Sequence, residues 1–218
     1  MLCRLQIVSY LQRCYNTSID YDNYYQLTNS IVYKVIYYES RESMNRLKAQ
    51  QVEIGYGDHS IINNLDVEIP DGKVTSIIGP NGCGKSTLLK ALSRLIEVKN
   101  GEVLLDNQNI QHQSTKEVAK KIAILPQTPT VTDSITVEEL VSYGRFPHQK
   151  GFGRLSKKDK DEIEWSLNVT GITEFRHQSI NDLSGGQRQR VWIAMALAQK
   201  TDIIFLDEPT TYLDISHQ

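Results

Sequence analysis

The sequence predicts an α/β chain: an open sheet with helices, a small antiparallel sheet before it and a mainly helical segment within it. Three stretches carry that expectation. Gly79-Pro-Asn-Gly-Cys-Gly-Lys-Ser-Thr87 matches G-x-x-x-x-G-K-[ST] and lies between an apolar run, Val74 to Ile78, and a helix-like run, Leu88 to Ile96. Ile203 to Leu206 is a wholly apolar strand that runs into two carboxylates, Asp207 and Glu208. Ahead of both, Leu65, Val67 and Ile69 alternate with Asp66 and Glu68 before a turn at Pro70-Asp71-Gly72, the signature of a half-buried antiparallel strand.

The first stretch has the chemistry of a phosphate cradle. Gly79, Gly82 and Gly84 allow backbone conformations closed to residues with a Cβ, so successive N–H groups can turn inward around an anion. Lys85 adds a point charge for β- and γ-phosphates, Ser86 offers a hydroxyl to Mg²⁺, and the next helix presents its positive end. Pro80, Asn81, Cys83 and Thr87 complete the loop.

Composition narrows the function classes. At 218 residues the chain suffices for one sizeable core, or a domain with a subdomain. A formal charge of -2 and a pI near 6.2 argue against a dedicated nucleic-acid binder. Cys3, Cys14 and Cys83 have no metal-ligand spacing, and their odd number suits a reducing compartment. No apolar run reaches the roughly 18 residues of a membrane span. Work at a membrane would therefore go through a partner.

Residues 1–43 read differently from the rest. They hold eight of the eleven tyrosines and sustain neither helical nor strand periodicity. The start is too broken by Arg4 and Gln6 for a secretory signal. We read this stretch as an extension outside the fold, as translation from an upstream start would give, with the domain running over 44–218. A disordered or partner-binding extension is the other reading.

From Met44 the elements follow in order. Lys48 to Ile54 is the first strand. Tyr56, between Gly55 and Gly57, is either a structural turn aromatic or a flat ring able to stack on a base. Gly101 to Leu105 reads as an edge strand with a turn at Asp106-Asn107, and a charged helix follows through Lys116 to Lys121. Ile122 to Leu125 is a short buried strand ending at Pro126-Gln127, where proline breaks regular structure. Gln127 is either merely exposed or within reach of Mg²⁺ or a water near a γ-phosphate.

Residues 130–182 read as the helical subdomain. Thr136-Val-Glu-Glu139 fits a capping box, and Ser156 caps a helix through Trp165. Between them, Gly144-Arg-Phe-Pro-His-Gln149 is either a solvated connector or a partner-facing surface, with Arg145 and Lys150 as nearby cations. Leu183-Ser-Gly-Gly-Gln187 opens a helix from Arg188 to Gln199, apolar most of the way round from Val191 to Ala198 and hence largely buried. Ser184, Gly185 and Gly186 at its start are either an ordinary serine cap or a second phosphate contact. Carboxylates at the C-terminal edge of a strand in an open α/β sheet lie at the ligand crevice. Asp207 can there hold the Mg²⁺ shell, and Glu208 can orient or deprotonate an attacking water.

Taken together, Gly79 to Thr87, Gln127, Leu183 to Gln187 and Ile203 to Glu208, in that order, resemble the ATP-binding-cassette ATPases. Leu-Ser-Gly-Gly-Gln is the specific element, and the likeness covers Met44 to the C-terminus. The resemblance implies an ABC-type P-loop NTPase: a RecA-like core, an antiparallel β subdomain and a helical subdomain. Tyr56 matches the adenine-stacking aromatic, Lys85 and its loop match Walker A, and Gln127 matches the Q-loop. Asp207 matches the Walker B aspartate, Glu208 the catalytic glutamate and Asp214 the D-loop aspartate. Ser184, Gly185, Gly186 and Gln187 match the signature, which in this family acts on the nucleotide held by a second subunit.

A finer resemblance rests on Tyr143-Gly-Arg-Phe-Pro-His148 and on Asn181 to Ala196 around the signature. Both resemble the ATPases of iron–siderophore importers, most closely the ferric hydroxamate (ferrichrome) type of Gram-positive bacteria; vitamin B12 and haem importers share much of the pattern. The resemblance implies ATP and Mg²⁺ as ligands and a head-to-tail homodimer as the working ATPase. It further implies transmembrane permease subunits, indirectly an extracellular siderophore-binding lipoprotein, and a place on the cytoplasmic face of the membrane. The family continues past the D-loop with a helix and a strand bearing a switch histidine, whereas this sequence stops at Ile215-Ser-His-Gln218. His217 follows Asp214 too closely for that role. The expectation is thus a C-terminally truncated cassette, whose alternative is a nucleotide-binding fragment without transport activity. A chromosome-maintenance ATPase would need a long coiled-coil insertion, and Thr87 to Leu183 holds no sustained heptads.

Overall fold

The computed structural model describes residues 45–125, 135–149 and 154–207, together with the backbone of 6–10. The chain divides into two compact units, Met1–Gln113 and Ser114–Gln218.

In the first unit an antiparallel sheet has the order β3-β2-β5-β6. Its strands are β2 (Leu47–Tyr56), β3 (His59–Ile69), β5 (Asn100–Leu105) and β6 (Gln108–Asn109). Along β2 the buried residues are Leu47 and Ala49, then Val52 and Ile54. This change of phase comes from a bulge at Gln51, whose φ is 48° and whose N–H is taken by Asp66 Oδ1 at 2.8 Å. One extra residue there keeps the apolar face inward on both sides of it. Asp106 and Asn107 have φ of 54° and 59°, the paired left-handed residues of a tight hairpin, so β6 covers the outer side of β5.

β4 (Val74–Ile78) leads into the glycine-rich loop and pairs antiparallel with β1 (Gln6–Tyr10), from Gln6 opposite Ile78 to Tyr10 opposite Val74. No periodicity in the sequence marked β1. After the loop comes α1 (Lys85–Leu92), which buries Leu88, Leu89, Ala91 and Leu92 and packs on β2. It begins and ends earlier than the run Leu88 to Ile96 suggested. Its last turn closes where Ser93 Oγ donates to Leu89 O at 2.7 Å and Arg94 turns left-handed at φ 63°.

The second unit holds α2 (Thr115–Lys121), β7 (Ile122–Leu125), α3 (Val137–Tyr143), α4 (Lys157–Val169), α5 (Gly185–Ala198) and β8 (Ile203–Leu206). β7 and β8 pair in parallel from Ile122 opposite Ile203 to Leu125 opposite Leu206. Capping boxes start three of the helices: Thr136 with Glu139, Ser156 with Asp159 and Ser184 with Gln187. Each satisfies two backbone donors that a helix start leaves open. α5 is the central element, packed against α3, α4 and β7. The core around it joins Val137, Leu140, Val141, Ile163, Leu167 and Val191, and side chains of this size contribute about 1.5–3 kcal/mol each on full burial.

Candidate active site

The phosphate loop takes its shape from its glycines. Gly82 (φ 78°) and Gly84 (φ 98°) are both left-handed, and Gly84 is the N-cap of α1. The two differ in surroundings. A Cβ on Gly84 would lie 2.9 Å from Ile61 Cγ2 and 3.2 Å from Ile62 Cγ1, whereas one on Gly82 would meet nothing within 4 Å. Gly84 is therefore doubly required, by conformation and by the approach of the β2–β3 hairpin. Lys85 folds back over the loop, its Nζ donating to Gly79 O at 3.0 Å and Pro80 O at 3.1 Å. Cys83 and Thr87 are buried, Ser86 is half-buried and Asn81 is exposed. The first turn of α1 has no acidic residue, so its positive end is not offset from within.

Tyr56 ends β2 on the same hairpin that touches Gly84, and its side chain is 47% exposed. Gly55 makes that hairpin possible, since a Cβ there would sit 2.0 Å from His59 O. A largely free aromatic ring on a pinned hairpin has the form of a stacking platform.

In the second unit the signature residues build the start of α5. Ser184 Oγ accepts from Gln187 N at 3.3 Å, and Gln187 Oε1 accepts from Ser184 N at 2.8 Å. Gly185 and Gly186 are half-buried, and nothing lies within 4 Å of where a Cβ on Gly186 would stand. Here too the first turn has no acidic residue.

The half-buried Asp207 follows β8, and its N–H donates to Leu125 O at 3.1 Å. The ends of β7 and β8 thus lie side by side, with Gln127 two residues beyond one and Asp207 one residue beyond the other. Gln127, Glu208 and Asp214 themselves lie outside the described residues, as does Lys150.

The sequence reading treated Arg145 as a surface cation of the Gly144–Gln149 segment. Arg145 is instead 2% exposed, with Nε donating to Asp159 Oδ1 at 2.8 Å and Nη1 to Ala198 O at 2.6 Å. Burial opposes the charged form of Asp159, but hydrogen bonds from Ser156 and Arg145 outweigh it and hold its carboxyl below the ordinary value. Gly144 allows the approach, because a Cβ there would lie 2.2 Å from Met195 O. The outward side of the segment is aromatic: Tyr143 and Phe146 stack at 4.8 Å, 44% and 56% exposed.

The model of the family described as ABC transporter matches residues 62–211. The chain belongs to the ABC transporter family. Among curated relatives of this ATP-binding cassette, the iron(3+)-hydroxamate import ATP-binding protein FhuC of Bacillus subtilis (strain 168) is 58% identical over 175 residues. That match takes in 80% of this chain and 65% of the relative. The ferric enterobactin transport ATP-binding protein FepC of Escherichia coli (strain K12) is 56% identical, over 81% of this chain and 65% of its own. The chain thus spans just under two thirds of these relatives' length. Among solved structures, an inward-facing putative metal-chelate type ABC transporter superposes with a TM-score of 0.65 at 29% identity, covering 79% of this chain and 64% of that one. A nucleotide-free ATP-binding cassette from an ABC transporter gives 0.65 at 22% identity, a likeness of fold, over 76% and 70%.

The residues present fit ATP and Mg²⁺. In the first unit the loop offers backbone donors and Lys85 to phosphates and the Ser86 hydroxyl to Mg²⁺; in the second, taken by itself, Asp207 is a hard oxygen donor of the kind Mg²⁺ takes.

Proposed function

We propose that the chain is the ATP-binding and hydrolysing part of an importer for ferric siderophores of the hydroxamate type, energising uptake through a membrane permease. The observation that carries the ATPase reading is the loop at Gly82–Lys85: two left-handed glycines, a helix start with no acidic residue in its first turn and a lysine that donates to carbonyls of its own loop. The siderophore reading rests on the likeness to proteins named for hydroxamate and enterobactin transport. Among the described residues no helix is long and apolar enough to cross a membrane. In this reading the permease is formed by separate transmembrane subunits, as in the importers the sequence resembles, and the cassette sits on the cytoplasmic face of the membrane.

Each residue then has a task. Tyr56 stacks on the adenine. The backbone of Gly79 to Thr87 and Lys85 hold the β- and γ-phosphates. Ser86, Gln127 and Asp207 supply oxygen donors to Mg²⁺, which when bound neutralises charge on those phosphates. Glu208 accepts the proton of the water that attacks the γ-phosphorus, the bond to the β-phosphate oxygen breaks, and ADP and phosphate leave. Ser184 to Gln187, with Asp214, act on the nucleotide of a second copy paired head to tail. The open space where a Cβ on Gly186 would stand supports that pairing, since it leaves room for a group of the second copy. The exposed Tyr143–Phe146 stack is the face assigned to the permease.

ATP turnover of the protein beside its Glu208→Gln variant tests the enzyme reading. The variant should keep nucleotide binding and lose roughly 10²–10⁴ in rate, the usual worth of a general base. Equal, negligible rates in both would leave only a nucleotide-binding fragment. Growth on ferric hydroxamate as sole iron source, with and without the gene, tests the substrate. Undiminished growth of the deletion strain, with no other ATPase serving the permease, would sink it.

A further inference from the structure

The Gly144–Gln149 segment has an inner side that neither sequence reading of it foresaw. At the C-terminal end of α5, Arg145 Nη1 donates to Ala198 O at 2.6 Å and His148 Nε2 donates to Gln199 O at 2.7 Å. The Gln199 side chain reaches on, its Nε2 donating to Ala119 O at 2.5 Å and to Ile122 O at 3.0 Å. Lys116 Nζ, from α2, donates back to Gln149 O at 2.7 Å. The bonds close a ring through the 144–149 segment, the end of α5 and the end of α2. Asp159 joins α4 to it through Arg145.

Every acceptor in the ring apart from Asp159 is a backbone carbonyl, and Ala119 and Ala198 stand in last helical turns, where carbonyls lack partners within their own helix. Apolar packing tolerates sliding, whereas a hydrogen bond to a carbonyl fixes direction and register. The ring lies where β7 and β8 begin, at Ile122 and Ile203, and their far ends run toward Gln127 and Asp207. The opposite end of α5 is Ser184. Its 14 residues make a rod about 20 Å long between the ring and the signature.

We infer that Gln199, with Arg145 and His148, is a positioning residue for ATP turnover: the ring sets where the signature-bearing helix stands against the strands that lead to Gln127 and Asp207. This rests on the ATPase reading above. None of the three is among the residues assigned to the nucleotide, and the phosphate loop belongs to the other unit. Breaking the ring should therefore move turnover and leave nucleotide affinity alone.

The test compares the full protein with Gln199→Ala, His148→Leu and His148→Gln, measuring kcat, the Kd of ATP, and backbone hydrogen exchange without nucleotide. Gln199→Ala should lower kcat at least fivefold with Kd unchanged within twofold. It should also raise exchange severalfold at two remote places, Gly185–Arg188 and Phe205–Asp207. His148→Gln, whose amide can donate to the same carbonyl, should recover most of the turnover that His148→Leu loses. A Gln199→Ala kcat within twofold of the parent, or faster exchange confined to residues 116–122 and 145–149, would overturn the inference. So would equal losses in the two His148 variants, which decide the matter if Gln199→Ala fails to fold. If the parent protein neither binds nor hydrolyses ATP, the ATPase reading fails, and the exchange pattern still decides whether the ring positions both remote ends.

Discussion

Arg145 and Asp159 form an ion pair of 2.8 Å with side chains only 2% and 7% exposed, joining the end of α3 to the start of α4. Taking two charges out of water is costly, and the geometry here repays it: Asp159 also accepts from Ser156 N and Oγ, and Arg145 also serves Ala198 O. Removing one partner strands the other. Arg145→Ala should therefore lose about 3–5 kcal/mol of stability in its unit, whereas Arg145→Met with Asp159→Leu should recover part of that loss. Thermal melts of the single and double variants check it.

The same carboxylate sets an acid dependence. Asp159 is held below its ordinary value in the folded chain, so the folded state favours its charged form. Its contribution is fully present above about pH 4, the value of an unperturbed aspartate, and is lost as pH falls through the lower folded value. Melting temperature should therefore drop more steeply below pH 4 in the parent than in Asp159→Asn, whose curve starts lower and runs flatter. Parallel acid limbs would count against this assignment.

Lys85 offers a separation of binding from folding. Among the described residues its ammonium donates to two carbonyls of its own loop, Gly79 O and Pro80 O, and the bond to Pro80 is exposed. Losing those bonds should cost the fold little. Losing the charge proposed to face the β- and γ-phosphates should cost about 1.5–3 kcal/mol, or roughly 10–100-fold in affinity. Titration of Lys85→Ala with ATP, beside its melting curve, should show weak binding in a protein as stable as the parent.

How much of this was legible in the sequence depended on distance along the chain. The phosphate loop, the carboxylate pair after β8 and the Thr136–Glu139 box are each contiguous, and their chemistry is fixed by a few neighbouring residue types. The start of α1 was read three residues late, because apolar periodicity begins at Leu88 while the polar turn Lys85-Ser-Thr is already helical behind its left-handed Gly84 cap. Arg145 was misread because its partners are remote: Asp159 is 14 residues away and Ala198 is 53. A charged residue after a glycine looks exposed until the surface that glycine admits is known. The contact of Gly84 with Ile61 and Ile62 was hidden in the same way, since the motif explains the glycine without the hairpin.

Two glycines of the candidate site should respond to alanine in opposite ways. Gly84 is left-handed at φ 98° and a Cβ there would press Ile61 Cγ2 at 2.9 Å, so Gly84→Ala should lose about 1–3 kcal/mol of stability along with nucleotide binding. Gly186 lies within α5 with open space where its Cβ would be. Alanine is the better helix former by about 1 kcal/mol, so Gly186→Ala should melt at or above the parent temperature. A glycine where alanine would stabilise leaves room for something to come closer to the backbone than a methyl group allows. If that something is the nucleotide of a second copy, Gly186→Ala should bind ATP normally on its own phosphate loop and turn it over at least tenfold more slowly. Melting curves, ATP titration and steady-state turnover of the two variants, measured together, separate the roles. Unchanged turnover in Gly186→Ala would mean that nothing docks against that turn.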